Sequence, residues 1–207
     1  MPRRLDYYFS MVSPWAYIGH ATFVDIVKRH QIAVTYKPVA LGNLFAETGG
    51  LPLAKRHPVR QRYRLFELQR WREKRRLKFE LRPKFWPFDV GLADRLVIAI
   101  VESGRDPEPF MRRAFAAVWE EEQNLADEAT LGALAESVGL PAAELAAAAR
   151  RDASQAIYEQ NFHDAVGADV FGSPCYVLEG EVFWGQDRLD LLNDALTSGR
   201  PPYSSDV

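Results

Sequence analysis

Tyr8-Phe9-Ser10-Met11-Val12-Ser13-Pro14-Trp15-Ala16-Tyr17 changes its pattern midway. Leu5 to Ser10 is short, aromatic and apolar, which is the composition of a buried strand. At Ser13-Pro14 the pattern turns helical, with a serine N-cap and a proline at the first helical position, where its missing N–H is not needed. Tyr17, Ile18, Phe23, Ile26 and Val27 then recur at helical spacing to about His30. Ala33 to Val39 returns to strand composition. A loop from Gly42 to Pro52 follows, marked by the turn signal Gly49-Gly50-Leu51-Pro52. The first forty residues or so therefore read as a βαβ unit.

Strand chemistry reappears only near the other end. Cys175 to Leu178 and Val182 to Trp184 flank Glu179-Gly180-Glu181 and predict a hairpin, with a closing helix over Arg188 to Leu196. Between the two halves the spacing is helical over Val59–Arg76, Ala93–Ser103, Pro109–Glu122, Ala129–Arg150 and Asp152–Val166. Pro87, Pro107 and Gly139-Leu140-Pro141 punctuate that stretch. A βαβ half and a ββα half separated by about a hundred helical residues define an α/β sheet with a large all-helical insertion. The expected division is 1–55 with 168–198 for the sheet unit and 56–167 for the insertion, with 199–207 as a loose tail.

Composition narrows the function. The 207 residues are 47% hydrophobic with a net charge of −2, an ordinary globular balance that does not point to nucleic acid or an anionic membrane as partner. Half of the 26 lysines and arginines nevertheless lie between Lys55 and Lys84. Glu67 and Glu73, with apolar Leu65, Phe66, Leu68 and Trp71 among them, make this an amphipathic helix rather than an RNA-binding stripe. One cysteine forms no intramolecular disulfide and suits a reducing cytosol, so a cytoplasmic protein is expected. No signal-peptide core follows the two N-terminal arginines. The four histidines lack metal-ligand spacing.

Ser13 is the first candidate for chemistry. A hydroxyl at a helix N-terminus sits among free N–H groups at the positive end of the dipole, which favours a neighbouring anion. No base and no Gly-x-Ser-x-Gly elbow accompanies it, so it is a hydrogen-bond donor to an external anion rather than an acylated nucleophile. The plain alternative is a helix cap. Ser173-Pro174 opens the later strand, a place where proline is tolerated and is often cis. Cys175, next to it, reads as packing.

The stretch from Tyr8 to Tyr17 resembles the opening of the DsbA-like thioredoxin superfamily, with Ser13-Pro14-Trp15-Ala16 where redox members carry Cys-x-x-Cys. Val170-Phe171-Gly172-Ser173-Pro174, followed by Phe183-Trp184-Gly185-Gln186-Asp187-Arg188-Leu189, is similar to one subfamily, the 2-hydroxychromene-2-carboxylate isomerases and their kappa-class glutathione transferase cousins. The resemblance implies a glutathione-dependent isomerase acting on a small aromatic or electrophilic substrate, commonly as a homodimer. It implies that Ser13 holds the glutathione thiolate and that Ser173 and Pro174 pair with the tripeptide backbone. Gln186 and Asp187 would hold the γ-glutamyl end, although Asp187 is equally at home as a helix cap. Arg60 stands where kappa-class enzymes carry a lysine for the glycyl carboxylate, and Gly49-Gly50-Leu51 stands where they carry an asparagine. Lys84, Phe85, Trp86 and Phe88 fall where the family lines its substrate pocket, or else seal the insertion against the sheet. A glutathione transferase, a non-redox relative of the disulfide oxidoreductases and a non-catalytic binding module are the alternatives.

Overall fold

The computed structural model describes residues 3–205; the last two residues of the expected tail, Asp206 and Val207, lie outside it. Strand β1 (Arg4–Phe9) leads into helix α1 (Pro14–His30) and strand β2 (Ala33–Pro38). After the helical stretch come β3 (Cys175–Leu178), β4 (Glu181–Trp184) and a closing helix. The strands form one sheet in the order β2-β1-β3-β4, with β1 parallel to β2 and antiparallel to β3, and β3 antiparallel to β4. Tyr7 is in register with Tyr36 on one side and Tyr176 on the other.

Alternation along the strands sends side chains to two covered faces. Leu5, Tyr7, Phe9, Tyr176 and Leu178 join the main core; Tyr8, Cys175 and Val177 join a smaller one beneath the sheet. Tyr7 stacks on Tyr176 with centroids 5.2 Å apart and on Phe9 at 4.6 Å. This dense aromatic pairing is why the two central strands read as apolar runs.

The expected loop from Gly42 to Pro52 is a correction: it opens with helix α2 (Leu41–Thr48). Gly42, Asn43 and Thr48 are weak helix formers, so local propensity hides it. Its one buried residue, Leu44, is sealed against Ala165 and Val170 beneath the sheet, and Gly49 closes the helix at φ 77°. Next come α3 (Pro58–Arg75), α4 (Gly91–Glu102) and α5 (Glu108–Trp119). The helical pattern of Ala129–Arg150 divides at Gly139-Leu140-Pro141, the break its punctuation marks, into α6 (Glu128–Ser137) and α7 (Ala142–Ala149), because Gly139 turns the chain at φ 76° and Pro141 follows. Helices α8 (Asp152–Gly167) and α9 (Leu189–Ser198) complete the nine helices among the described residues. The main core is continuous from the sheet through α1, α4, α5, α6, α7 and α9, so the inserted helices share one interior with the strands.

The described part of the tail carries no regular structure, yet it is tied down. Both terminal guanidinium nitrogens of Arg200 pair with Glu181 at 2.7 and 2.8 Å, and Tyr203 donates its N–H to the same carboxylate.

Candidate functional site

Ser13 caps α1 as expected: its Oγ accepts the Ala16 N–H at 3.3 Å, and Pro14 occupies the first helical position. No acidic side chain stands in the first turn, which leaves the positive end of the helix uncompensated. The hydroxyl proton has a definite target, since Ser13 Oγ donates to the carbonyl of Ser173 at 3.1 Å. Ser173 precedes Pro174 across a cis peptide bond, and its own Oγ accepts the N–H of Ser10 at 3.1 Å. The two turns that the sequence set 160 residues apart are thus laced together, with Ser13 only 4% exposed.

Gln186 and Asp187 lie in a short 3-10 turn ahead of α9 and face different ways. Asp187 is exposed and pairs with Arg188 at 2.7 Å. Gln186, 2% exposed, turns inward instead and accepts from Arg75 at 3.4 Å. It packs on α1 at Gly19, where a methyl group would come within 2.6 Å of the Gln186 Cβ; this close approach is why a glycine sits in mid-helix there.

A cleft of about 410 Å³ opens beside Trp15, lined on the α3 side by Arg56, Arg60, Tyr63 and Arg64. Sequence reasoning reached Arg60 alone. The spacing of Arg56, Arg60 and Arg64 by fours was the available signal, masked by the other basic residues around them. The acidic residue in the lining, Glu67, is already engaged by Arg70. Burial, with Arg56 close by, pulls Arg64 down to about 10, and Arg56 itself is lowered by burial and by Arg60. Three guanidiniums crowding one cleft without a carboxylate of their own make a site for an external anion.

The aromatic segment divides. Trp86 donates its Nε1–H to the carbonyl of Val12 at 2.9 Å and carries the Arg64 guanidinium over its ring at 4.8 Å, so it joins the start of α1 to the arginine cleft. Phe88, like Trp86, packs against the main core. Lys84 lies over the half-exposed ring of Phe85, away from that core. Trp119 is wholly buried beneath the site, 6.1 Å from Trp86 and 6.3 Å from Tyr17.

Cys175 is buried and burial pushes its thiol up to about 12, so the one thiol of the chain is no nucleophile at neutral pH. Cys175→Ala is expected to leave turnover unchanged and to cost about 1 kcal/mol of stability for the lost packing, measured by steady-state kinetics and denaturant titration. Among the described residues no His, Cys, Asp and Glu cluster could hold a metal, and no helix is long and apolar enough to cross a membrane.

A thioredoxin-like sheet with its helical insertion placed before the cis-proline hairpin defines the class. The chain belongs to the DSBA-like thioredoxin domain family, which it matches over residues 4–197. Within it, the chain is 28% identical over 198 residues to 2-hydroxychromene-2-carboxylate isomerase of Sphingobium xenophagum, covering 95% of this chain and 99% of that one. It is 23% identical over 215 residues to glutathione S-transferase kappa 1 of Caenorhabditis elegans, covering 97% and 95%. A solved 2-hydroxychromene-2-carboxylate isomerase has the same fold, with a TM-score of 0.77 at 22% identity over 94% of this chain and 95% of that one.

Proposed function

We propose that this protein is a glutathione-dependent isomerase that interconverts 2-hydroxychromene-2-carboxylate and trans-o-hydroxybenzylidenepyruvate, a step in aromatic degradation. The observation that carries the reading is Ser13: a hydroxyl, not a thiol, caps α1 against the cis-proline turn, beside an anion-seeking cleft. The relatives named as isomerases and as a kappa-class glutathione transferase support it.

Glutathione fits the groups present. Three guanidiniums without an ion pair among the described residues line the cleft on one side, and Asp187, exposed on another element, would exchange its neighbour Arg188 for an ammonium. When bound, it supplies a thiolate that adds to a conjugated carbon and leaves again after bond rotation. The chain's part is to hold charge and backbone in place. As a ligand seats, the Ser13 proton turns from the Ser173 carbonyl toward the sulfur, joining the uncompensated α1 N-terminus in holding negative charge. The freed Ser173 carbonyl then accepts an N–H from the extended tripeptide. Arg60 takes the glycyl carboxylate, and Trp86, braced by Val12 and Arg64, is the flat wall for an aromatic substrate. Lys84 and Phe85 form the outer rim of that wall.

Arg60→Ala is expected to weaken glutathione binding about tenfold with turnover at saturation nearly kept, since a charged hydrogen bond at an exposed site is lost from ground and transition state alike. Calorimetry and steady-state kinetics check it. The function itself is tested on the chromene's ultraviolet spectrum: it should change only with glutathione present, and glutathione should be recovered. Equal rates without glutathione would overturn the mechanism, and stoichiometric loss of the thiol would make the protein a transferase.

The single buried cysteine supports a cytoplasmic setting. Leu51, Val59, Tyr63 and Phe66, apolar and half exposed on and beside α3, support a homodimer, which sedimentation measures directly.

A further inference from the structure

Asp94, in the first turn of α4, is wholly buried, and three donors converge on it. The Met11 N–H reaches Oδ1 at 2.8 Å. The Ser10 hydroxyl and the Tyr158 hydroxyl of α8 both reach Oδ2 at 2.9 Å. Ser10 and Met11 belong to the turn that ends in Ser13. The Ser10 carbonyl accepts the Ser13 N–H at 3.0 Å, and the Ser10 N–H donates to Ser173 Oγ. One carboxylate in the inserted helices therefore grips the turn whose ends hold both the Ser13 hydroxyl and the Ser173 carbonyl.

We propose that Asp94 is a positioning residue for Ser13, holding the Ser10–Ser13 turn through its ionised carboxylate so that the hydroxyl is aimed at the bound thiolate. The role rests on the function proposed above.

Three donors on two oxygens match a carboxylate; a carboxylic acid would have to turn the Ser10 or the Tyr158 hydroxyl from donor to acceptor to place its own proton. Burial opposes ionisation and pushes Asp94 up to about 7, against the three hydrogen bonds that lower it. The other groups acting on this cluster are Arg95, beside it on α4, and Asp89 ahead of the helix. Arg95 is directed elsewhere, to the Ala149 carbonyl and Gln155. Asp94 therefore takes on its gripping form as pH rises through neutrality.

The sign for stability is opposite. A folded value of about 7 above the ordinary 3.8 means the folded chain keeps a proton that the unfolded chain releases. The stabilisation is complete below about pH 4 and is lost as pH rises to about 7. The wild type should lose stability over that interval, and Asp94→Asn should flatten the decline. Equal slopes in the two proteins, read without glutathione by denaturant titration, would place the ionisation elsewhere and overturn the proposal.

The positional role is read from a double-mutant cycle with Ser13→Ala. Asp94→Asn alone should lower turnover about tenfold with glutathione affinity kept within about threefold; in the Ser13→Ala background it should lower turnover less than twofold, since residues acting as a unit are non-additive. Because Ser13→Ala also shifts the titration of the bound thiol, the thiolate is followed by its ultraviolet absorbance in both proteins, and turnover is expressed per thiolate before the ratio of wild type to Ser13→Ala is taken. That ratio should rise with pH with a midpoint near 7. Tyr158→Phe removes one donor from the ionised form, so it should move the midpoint upward, and it serves if Asp94→Asn does not fold. Additive losses, or a ratio independent of pH, would reduce Asp94 to a structural residue. If Ser13→Ala alone changes nothing, it is the proposed function that fails.

Discussion

Ser13→Ala is expected to lower isomerase turnover on the order of 10- to 100-fold while glutathione still binds within about threefold of its wild-type affinity. The hydroxyl meets the sulfur only where negative charge resides, and a hydrogen bond to a charged group contributes about 1.5–3 kcal/mol, or one to two decades in rate. The rest of the tripeptide is held by other groups, so affinity is largely insulated. The cap is a second, smaller loss: Ala16 N–H gives up its side-chain acceptor, at a cost of about 1 kcal/mol in stability. These two effects are separable because turnover is compared at saturating glutathione and stability by denaturant titration. Unchanged turnover with lowered stability would leave Ser13 a helix cap and nothing more.

Trp119→Ala should be the most damaging single change to the fold. Its indole is fully buried and touches rings from three segments: Phe79 at 5.3 Å, Trp86 at 6.1 Å and Tyr17 at 6.3 Å. Truncating a buried tryptophan costs about 3–5 kcal/mol, a large fraction of a stability of about 5–15 kcal/mol. The consequence should reach the site, because Trp86 rests on Trp119 from below while holding Val12 and Arg64 from above. In Trp119→Phe, which keeps an aromatic face, the stability loss should be smaller and the aromatic substrate's KM should rise severalfold with glutathione affinity unchanged. An unfolding free energy for Trp119→Ala within about 1 kcal/mol of wild type would show that the cluster is not the keystone between insertion and sheet.

Residue order alone decides the two halves of the sheet, because their signals are local. Short apolar and aromatic runs, the Ser13-Pro14 cap and the Glu179-Gly180 turn each act within a few residues, and β1, α1, β2, β3 and β4 form where those signals lie. Composition likewise shows that no second thiol exists for disulfide exchange. What needed the folded chain is whatever depends on partners distant in sequence. Helix α2 forms around Leu44, whose cluster is drawn largely from residues 165 to 177. Asp94 looks locally like an ordinary first-turn acid at the start of α4; only packing brings Ser10, Met11 and Tyr158 to it and buries its charge. Arg56 and Arg64 are two among many basic residues until α3 lies beside Trp15 and Trp86, when they become the wall of a cleft. Ser13 shows the division most plainly. Its place at the helix start follows from its neighbours in the chain, whereas the carbonyl its proton meets, 160 residues away, is supplied by tertiary structure, because a hydrogen bond is set by distance in space and local propensity carries no record of it.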